Sequence, residues 1–301
     1  MKIAVTGASG FVGGAVATAL AARGHDVTGF GRTPRGWSGP YREWDITTGV
    51  LSGHGDFEVV VHAAALADDW APLARATAVN VDGTRAVINS FADARFVHIS
   101  TSSVYDAFTP TVTARECDGP SGRFLSHYSS TKARAETLFA GLDAIVLRPH
   151  AVYGPGDTTL LPRILEGVRG RRLVLPNGAR VAHTLTHIDN LVDAVEVGAA
   201  SGICGVFNIG DDSAVQLDEM LLELLAKKGR SDVTLSSIPY RAALAAAGSL
   251  EALARVSGRR PRLTRYAVSQ LGLERTLDLA AARDRLGYRP RPTSLAGAER
   301  W

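Results

Sequence analysis

The residues best suited to do chemistry in this chain are Tyr128 and Lys132, within Tyr-Ser-Ser-Thr-Lys. If the segment is helical, a spacing of four puts both side chains on one face. An ammonium beside a phenol favours the phenolate, so Lys132 is expected to draw Tyr128 below its ordinary value of about 10 and make it a usable proton donor or acceptor. This pair alone is a common accident. Upstream, Ser100-Thr101-Ser102-Ser103-Val104-Tyr105 closes an apolar run and offers a hydroxyl to hold a substrate oxygen while Tyr128 moves a proton.

A second constellation could hold a phosphate. Thr6-Gly7-Ala8-Ser9-Gly10-Phe11-Val12-Gly13 follows the first apolar run and opens a helical one. Glycines there allow a tight turn, close approach of backbone to a pyrophosphate and close helix packing, and the helix N-terminus favours negative charge. The reading is a dinucleotide site at Gly7, Ser9, Gly10, Phe11, Val12 and Gly13. Where the second strand should end in an acid that binds a ribose hydroxyl, the chain has Gly31 followed by Arg32. A guanidinium with no carboxylate beside it suits a 2′-phosphate, so NADP(H) is expected to be preferred, with NAD(H) possible. Asp45-Ile46 is expected at the adenine edge, although an Asp-Ile pair also commonly starts a helix, and Ala63-Ala64-Ala65 gives small residues where backbone must approach the cofactor.

The elements that must position these groups are legible as alternation. Short apolar runs at Ile3–Val5, Val27–Phe30, Val59–Val61, Phe96–Ile99 and Ile145–Leu147 are separated by amphipathic stretches at Val12–Arg23, Val79–Ala92 and Ser129–Gly141. Near-continuous apolar strands between helices mean a parallel sheet covered on both faces, the doubly wound α/β (Rossmann) class. The cofactor domain is expected over 1–153. Residues 154–301 would form mainly a smaller, mostly helical substrate lobe, with strand-like returns to the cofactor domain near 183–211, at Leu185–Ile188 and Gly205–Ile209.

Of 301 residues, 46% are hydrophobic and 21% charged, the averages of a globular enzyme rather than of a disordered or fibrous chain. The +3 net charge is spread along the chain. Arginine clusters at 169–172 and 259–262 lack aromatic binding motifs, so no nucleic-acid partner is expected. Met1 leads directly into a strand pattern, and no apolar run reaches the roughly 18 residues of a membrane span, so a cytoplasmic protein is expected. Cys117 and Cys204 are read as small buried side chains. His183 and His187 lie four apart but have no third ligand spaced with them, so no metal is expected. His62 and His150 are placed near strand ends beside the cofactor.

Taken together, Thr6–Gly13, Asp45-Ile46, Val61–Ala65, Asn80-Val81-Asp82-Gly83-Thr84, Ser100–Tyr105, Tyr128–Lys132 and Arg148–Asp157 resemble the extended short-chain dehydrogenase/reductase superfamily over nearly the whole chain. The resemblance implies that Thr101 is the catalytic hydroxyl, Tyr128 the acid/base and Lys132 the ribose-binding lysine. It also implies that Asn80 supports the proton relay, that Pro149 borders the cofactor, and that two copies pair through the helices near Asn80 and Ser129. Arg148-Pro149-His150, His187–Ala194, Leu263–Tyr266 and Ala282–Pro290 are similar to the 3β-hydroxysteroid dehydrogenase-like branch, whose members act on sterol-like or long-chain β-hydroxy and β-keto compounds. The expected activity is hydride exchange with a carbonyl or secondary alcohol of a small or lipophilic substrate; the alternative is a nucleotide-sugar epimerase that keeps its cofactor bound. In dTDP-glucose 4,6-dehydratases an Asp-Glu pair follows the catalytic threonine. Ser102 and Ser103 stand there in this chain, which disfavours dehydration. Asp106 departs from the glycine found in many relatives.

Overall fold

The computed structural model describes residues 1–35, 37–158 and 160–301. The chain begins β1 (Lys2–Thr6), α1 (Phe11–Ala22), β2 (Asp26–Gly31), β3 (Tyr41–Glu43), β4 (Val59–His62), α2 (Leu73–Thr77) and α3 (Gly83–Ser90). It continues β5 (Arg95–Ile99), β6 (Thr111–Ala114), α4 (His127–Glu136), β7 (Ala144–Pro149), β8 (Val152–Tyr153), α5 (Leu160–Gly167), β9 (Arg172–Pro176), β10 (Ala182–His183) and β11 (Thr186–His187). The remainder is α6 (Ile188–Ala200), β12 (Gly205–Ile209), β13 (Val215–Gln216), α7 (Leu217–Lys227), β14 (Thr234–Ile238), α8 (Tyr240–Ser257), α9 (Arg265–Gly272), β15 (Arg275–Leu277) and α10 (Ala280–Leu286).

Seven strands form one sheet in the order β12-β7-β5-β4-β1-β2-β3, every pair parallel. Ile3, Ala4 and Val5 are fully buried because both faces are covered. On one face Val16, Leu20, Leu191 and Val195 from α1 and α6 pack against the strands; on the other, Phe30, Trp44, Phe91, Phe96 and Phe139 do. The chain winds outward from β1 to β3 and then returns to β4 on the opposite side. β1 and β4 therefore flank the point where winding reverses, the place such sheets bind ligands beyond their carboxyl ends.

Three expectations change here. The helix read at Val79–Ala92 begins earlier, with α2 and α3 joined by a π-helical turn over Ala78–Asp82. Leu185–Ile188 does not rejoin the central sheet: β11 pairs with β8, while α6 and β12 make the return. Cys117 and Cys204 are exposed, one in the surface turn Glu116–Asp118 and the other leading into the edge strand β12. Helices dominate the C-terminal lobe, yet a four-stranded sheet β13-β10-β15-β6 and the pair β14-β9 brace it. Since β6 comes from the first half of the chain, the two regions interlock.

Candidate active site

The glycine turn sits at the reversal point. Gly7 has φ 74°, and a Cβ there would stand 2.7 Å from the Ala64 backbone nitrogen, so only glycine lets the turn lie on the segment after β4. A Cβ on Gly13 would strike the Gly7 carbonyl, which is why α1 can begin directly on the turn. Gly10 caps α1 in an extended conformation and brings no side-chain acceptor to the first amides. The result is a backbone cradle that any side chain would fill, at a helix N-terminus suited to a pyrophosphate. Ala64 donates its N–H to Thr6 Oγ1 at 3.4 Å, tying Ala63-Ala64-Ala65 to the cradle wall. Phe11 and Val12 are partly buried, with Phe11 close to Gly156 across from the turn. Pro149 ends β7, paired with Ile209 of β12.

The side near the carboxyl ends of β2 and β3 is more open. Arg32, Glu43, Trp44, Asp45 and Thr48 line a cavity of about 440 Å³. Arg32 is exposed, and its charge helps hold Asp45 below the usual carboxylate range, although hydrogen bonds from Thr47 do more. Asp45 Oδ1 accepts from both the N–H and the hydroxyl of Thr47 at 2.9 and 2.7 Å, so it starts the short 3₁₀ turn Ile46–Thr48 as well as lining the cavity. Ile46 is buried under Gly83. Gly31 has a reason beyond charge: a Cβ there would lie 2.5 Å from the Tyr41 hydroxyl and 3.2 Å from Ser9 Oγ.

At the other end the predicted triad is brought together. Thr101 follows β5, accepts the Ser103 N–H at 3.1 Å, donates its hydroxyl to Ser103 Oγ at 3.1 Å and neighbours the Tyr128 phenol. Ser126 caps α4, accepting from the Ser129 N–H, and so sets Tyr128 and Lys132 one turn apart. Lys132 is buried and does not depress Tyr128 as expected. Its Nζ donates instead to the Ile99 carbonyl at 2.7 Å and lies 3.1 Å from His98 Nε2. Burial pushes the Tyr128 phenol up, and only the neighbouring Thr101 hydroxyl opposes it. Burial also draws Lys132 down to about 7, against the pull of Glu136.

The π-helical turn directs Asn80 inward rather than making it a helix cap. Asn80 Oδ1 accepts the Leu66 N–H at 2.7 Å, and Nδ2 donates to Thr131 Oγ1 at 3.0 Å, joining the loop after β4 to the residue beside Lys132.

Sequence reasoning missed several partners. Ser102 Oγ, His150 and His183 form a buried chain with contacts of 2.8 and 3.1 Å, ending on the Leu273 carbonyl. A carbonyl only accepts, so His183 carries its proton on Nε2, His150 donates from its own Nε2, and Ser102 donates to His150 Nδ1. That polarity pins the turn after Thr101. Burial is the largest cause holding both imidazoles neutral, with His183 brought down to about 4. Glu136, one turn beyond Lys132, takes Ser100 Oγ and two Arg148 donors, locking α4 to β5 and β7. Tyr266 neighbours Ser103 and feels Tyr128, so a second phenol faces the site. The only advance signal for it was its place in Leu263–Tyr266. His187 lies beside Tyr153 and Trp301 rather than joining His183 at a metal site. Residues 242–256 lie within α8. Its Ala243 and Ala247 pack on Val268, but Leu253 and Val256 are 64% and 88% exposed, so that half of the helix looks outward.

The arrangement can polarise and protonate a carbonyl oxygen beside a dinucleotide cradle. Comparisons with known proteins show the family. Residues 3–210 match the family described as NAD dependent epimerase/dehydratase. The 4-hydroxy-2-methyl-3-oxo-4-farnesyl-3,4-dihydroquinoline-1-oxide ketoreductase of Stigmatella aurantiaca is 32% identical, the match covering 99% of this chain and 95% of that protein. The 2-alkyl-3-oxoalkanoate reductase of Stenotrophomonas maltophilia is also 32% identical, over 100% of this chain and 98% of the relative. Among solved structures, MoeE5 in complex with UDP-glucose and NAD superposes with a TM-score of 0.70 at 26% identity, covering 99% of this chain and 96% of that one.

Proposed function

Because this chain belongs to the NAD dependent epimerase/dehydratase family of extended short-chain dehydrogenases and reductases, we propose that it is an NADP(H)-dependent ketoreductase acting on a lipophilic β-oxo compound through Thr101, Tyr128 and Lys132. The observation that carries this reading is the placement of Thr101, just beyond the carboxyl end of β5, beside the Tyr128 phenol, which stands one helical turn from Lys132. When bound, the dinucleotide supplies hydride at nicotinamide C4.

The chain's own groups do the rest. Gly7, Gly10 and Gly13 admit the pyrophosphate, Arg32 meets the 2′-phosphate, and Lys132 holds ribose hydroxyls. Thr101 and Tyr128 hydrogen-bond the substrate oxygen. A phenol held above its ordinary value stays protonated at neutral pH, the form that reduction requires, so Tyr128 donates its proton as the carbonyl carbon is reduced. The two relatives that reduce 3-oxo compounds support the substrate class.

MoeE5, whose complex holds UDP-glucose, keeps the epimerase reading in view. A carbonyl panel followed by NADPH absorbance separates the two. Consumption with β-oxo ketones supports the ketoreductase, whereas tight UDP- or dTDP-sugar binding with epimer formation and no added NADPH overturns it. Pairing of two copies through α3 and α4 belongs to the same proposal, and sedimentation tests it. No helix among the described residues is long and apolar enough to cross a membrane.

A further inference from the structure

His98 lies on β5, three residues before Thr101, and is fully buried. Its imidazole is sandwiched between the ring of His62, at 5.2 Å and 28°, and that of Phe139, at 4.6 Å and 27°. Nε2 faces Lys132 Nζ at 3.1 Å, and Nδ1 has no hydrogen-bond partner among the described residues. A phenyl ring would fill the same slot and leave no nitrogen orphaned. The feature of His98 that a hydrocarbon ring cannot reproduce is the bond to the lysine.

An ammonium has three donors and no acceptor. For Lys132, the Ile99 carbonyl and His98 Nε2 take two of them, and tetrahedral geometry then fixes the direction of the third. This works only while His98 is neutral with its proton on Nδ1, the nitrogen without a partner. The groups facing it enforce neutrality: Lys132 from α4 and His62 from β4 both disfavour a charge on His98, burial being the larger cause. Glu136 on α4, which favours the charged lysine, is itself held by Arg148.

We propose that His98 is a positioning residue for Lys132: as a neutral acceptor it anchors the ammonium, aims its remaining N–H and favours its charged form. The proposal rests on the reading of Lys132 as part of the reaction site, deepening it with a residue that touches neither substrate nor cofactor.

The chain has only four lysines, Lys2, Lys132, Lys227 and Lys228, so the test is a direct titration. Protein labelled with ε-¹³C-lysine is followed by NMR against pH without added cofactor, and Lys132→Met identifies the resonance. In the wild type Lys132 should titrate near about 7. In His98→Phe, which offers no acceptor, the midpoint should fall by about one pH unit, a tenfold change in the ammonium's dissociation constant. In His98→Gln, whose amide oxygen can accept, it should stay closer to the wild type. NADPH affinity, read by fluorescence, should follow the same order at pH 7. Should His98→Phe not fold, His98→Met supplies the variant without an acceptor. One unchanged Lys132 midpoint across wild type, the acceptor-free variant and His98→Gln overturns the proposal. If the wild type binds neither NADPH nor NADH, the functional reading fails instead, while the titration still decides the role of His98.

Discussion

The two ends of the candidate site are built on opposite plans. At the reaction end Lys132, His98, Ser102 and His150 are buried, and each is held by named partners. At the other end Arg32 is exposed, and the cavity it shares with Glu43, Asp45 and Thr48 opens to solvent. A buried polar group must be matched or it costs stability, so the reaction end is fixed by its surroundings. An exposed arginine obeys no such constraint, and its role is set by what arrives.

The contrast is broken most sharply at Tyr128. Tyr128→Phe removes the proton donor and little volume, so turnover should fall by about 10²- to 10⁴-fold while the NADPH dissociation constant hardly moves. More than a tenth of wild-type turnover on a competent substrate would contradict the mechanism.

Acid should next separate the ends. His62 and His183 are brought down to about 3 and about 4 by burial, and His98 and His150 are also held neutral. In the unfolded chain these imidazoles take protons as pH falls through about 6.5. The unfolded state thus binds more protons below that point, and stability is lost as pH falls from about 6.5 towards 4, by up to about 1.4 kcal/mol per pH unit for each imidazole. Urea midpoints measured across that window should steepen accordingly, and replacing both His150 and His183 by glutamine should flatten the slope. A slope unaffected by that double change would show that other groups govern the acid limb.

At the open end the expected effects are smaller. Charge-assisted contacts of about 1.5–3 kcal/mol give a preference for NADPH over NADH of roughly tenfold to a hundredfold, which Arg32→Ala should shrink. Equal affinities in the wild type, or no loss of NADPH affinity in the variant, would remove Arg32 from the site. The smallest change concerns Gly31. An aspartate there would supply a ribose acceptor, but its Cβ would press on the Tyr41 hydroxyl, itself bonded to the Thr33 carbonyl at 2.8 Å. Gly31→Asp alone should lower the Tm by a few degrees with little gain in NADH affinity, and adding Tyr41→Phe should recover both. Recovery of neither would mean that strain is not what keeps glycine at 31.

The same contrast explains what could be read in advance. Strand periods and the glycine turn announced the parallel sheet and its reversal point, because continuous burial and glycine-only geometry write themselves into local sequence. Tyr128 and Lys132 stood out by their spacing, and Thr101 by the resemblance to the family. Their electrostatics were not legible: Lys132 meets His98 across 34 residues of chain, and no local pattern encodes that contact. Asn80 was picked out, but its inward aim depends on a π-helical turn that ordinary helical periodicity conceals. The exposed cysteines show the converse limit, since a small apolar side chain on the surface leaves no periodic trace.

That π-helical turn has a bearing on the protein's past. Such a turn is geometrically what one inserted residue leaves inside an α-helix. Removing one residue from Ala78–Asp82 would restore regular winding while leaving α2 and α3 in place. Asn80 would then lose the inward aim that brings it to both Leu66 and Thr131. The segment between α2 and α3 therefore carries a residue whose loss would cost the link between the loop after β4 and α4 rather than the helix itself.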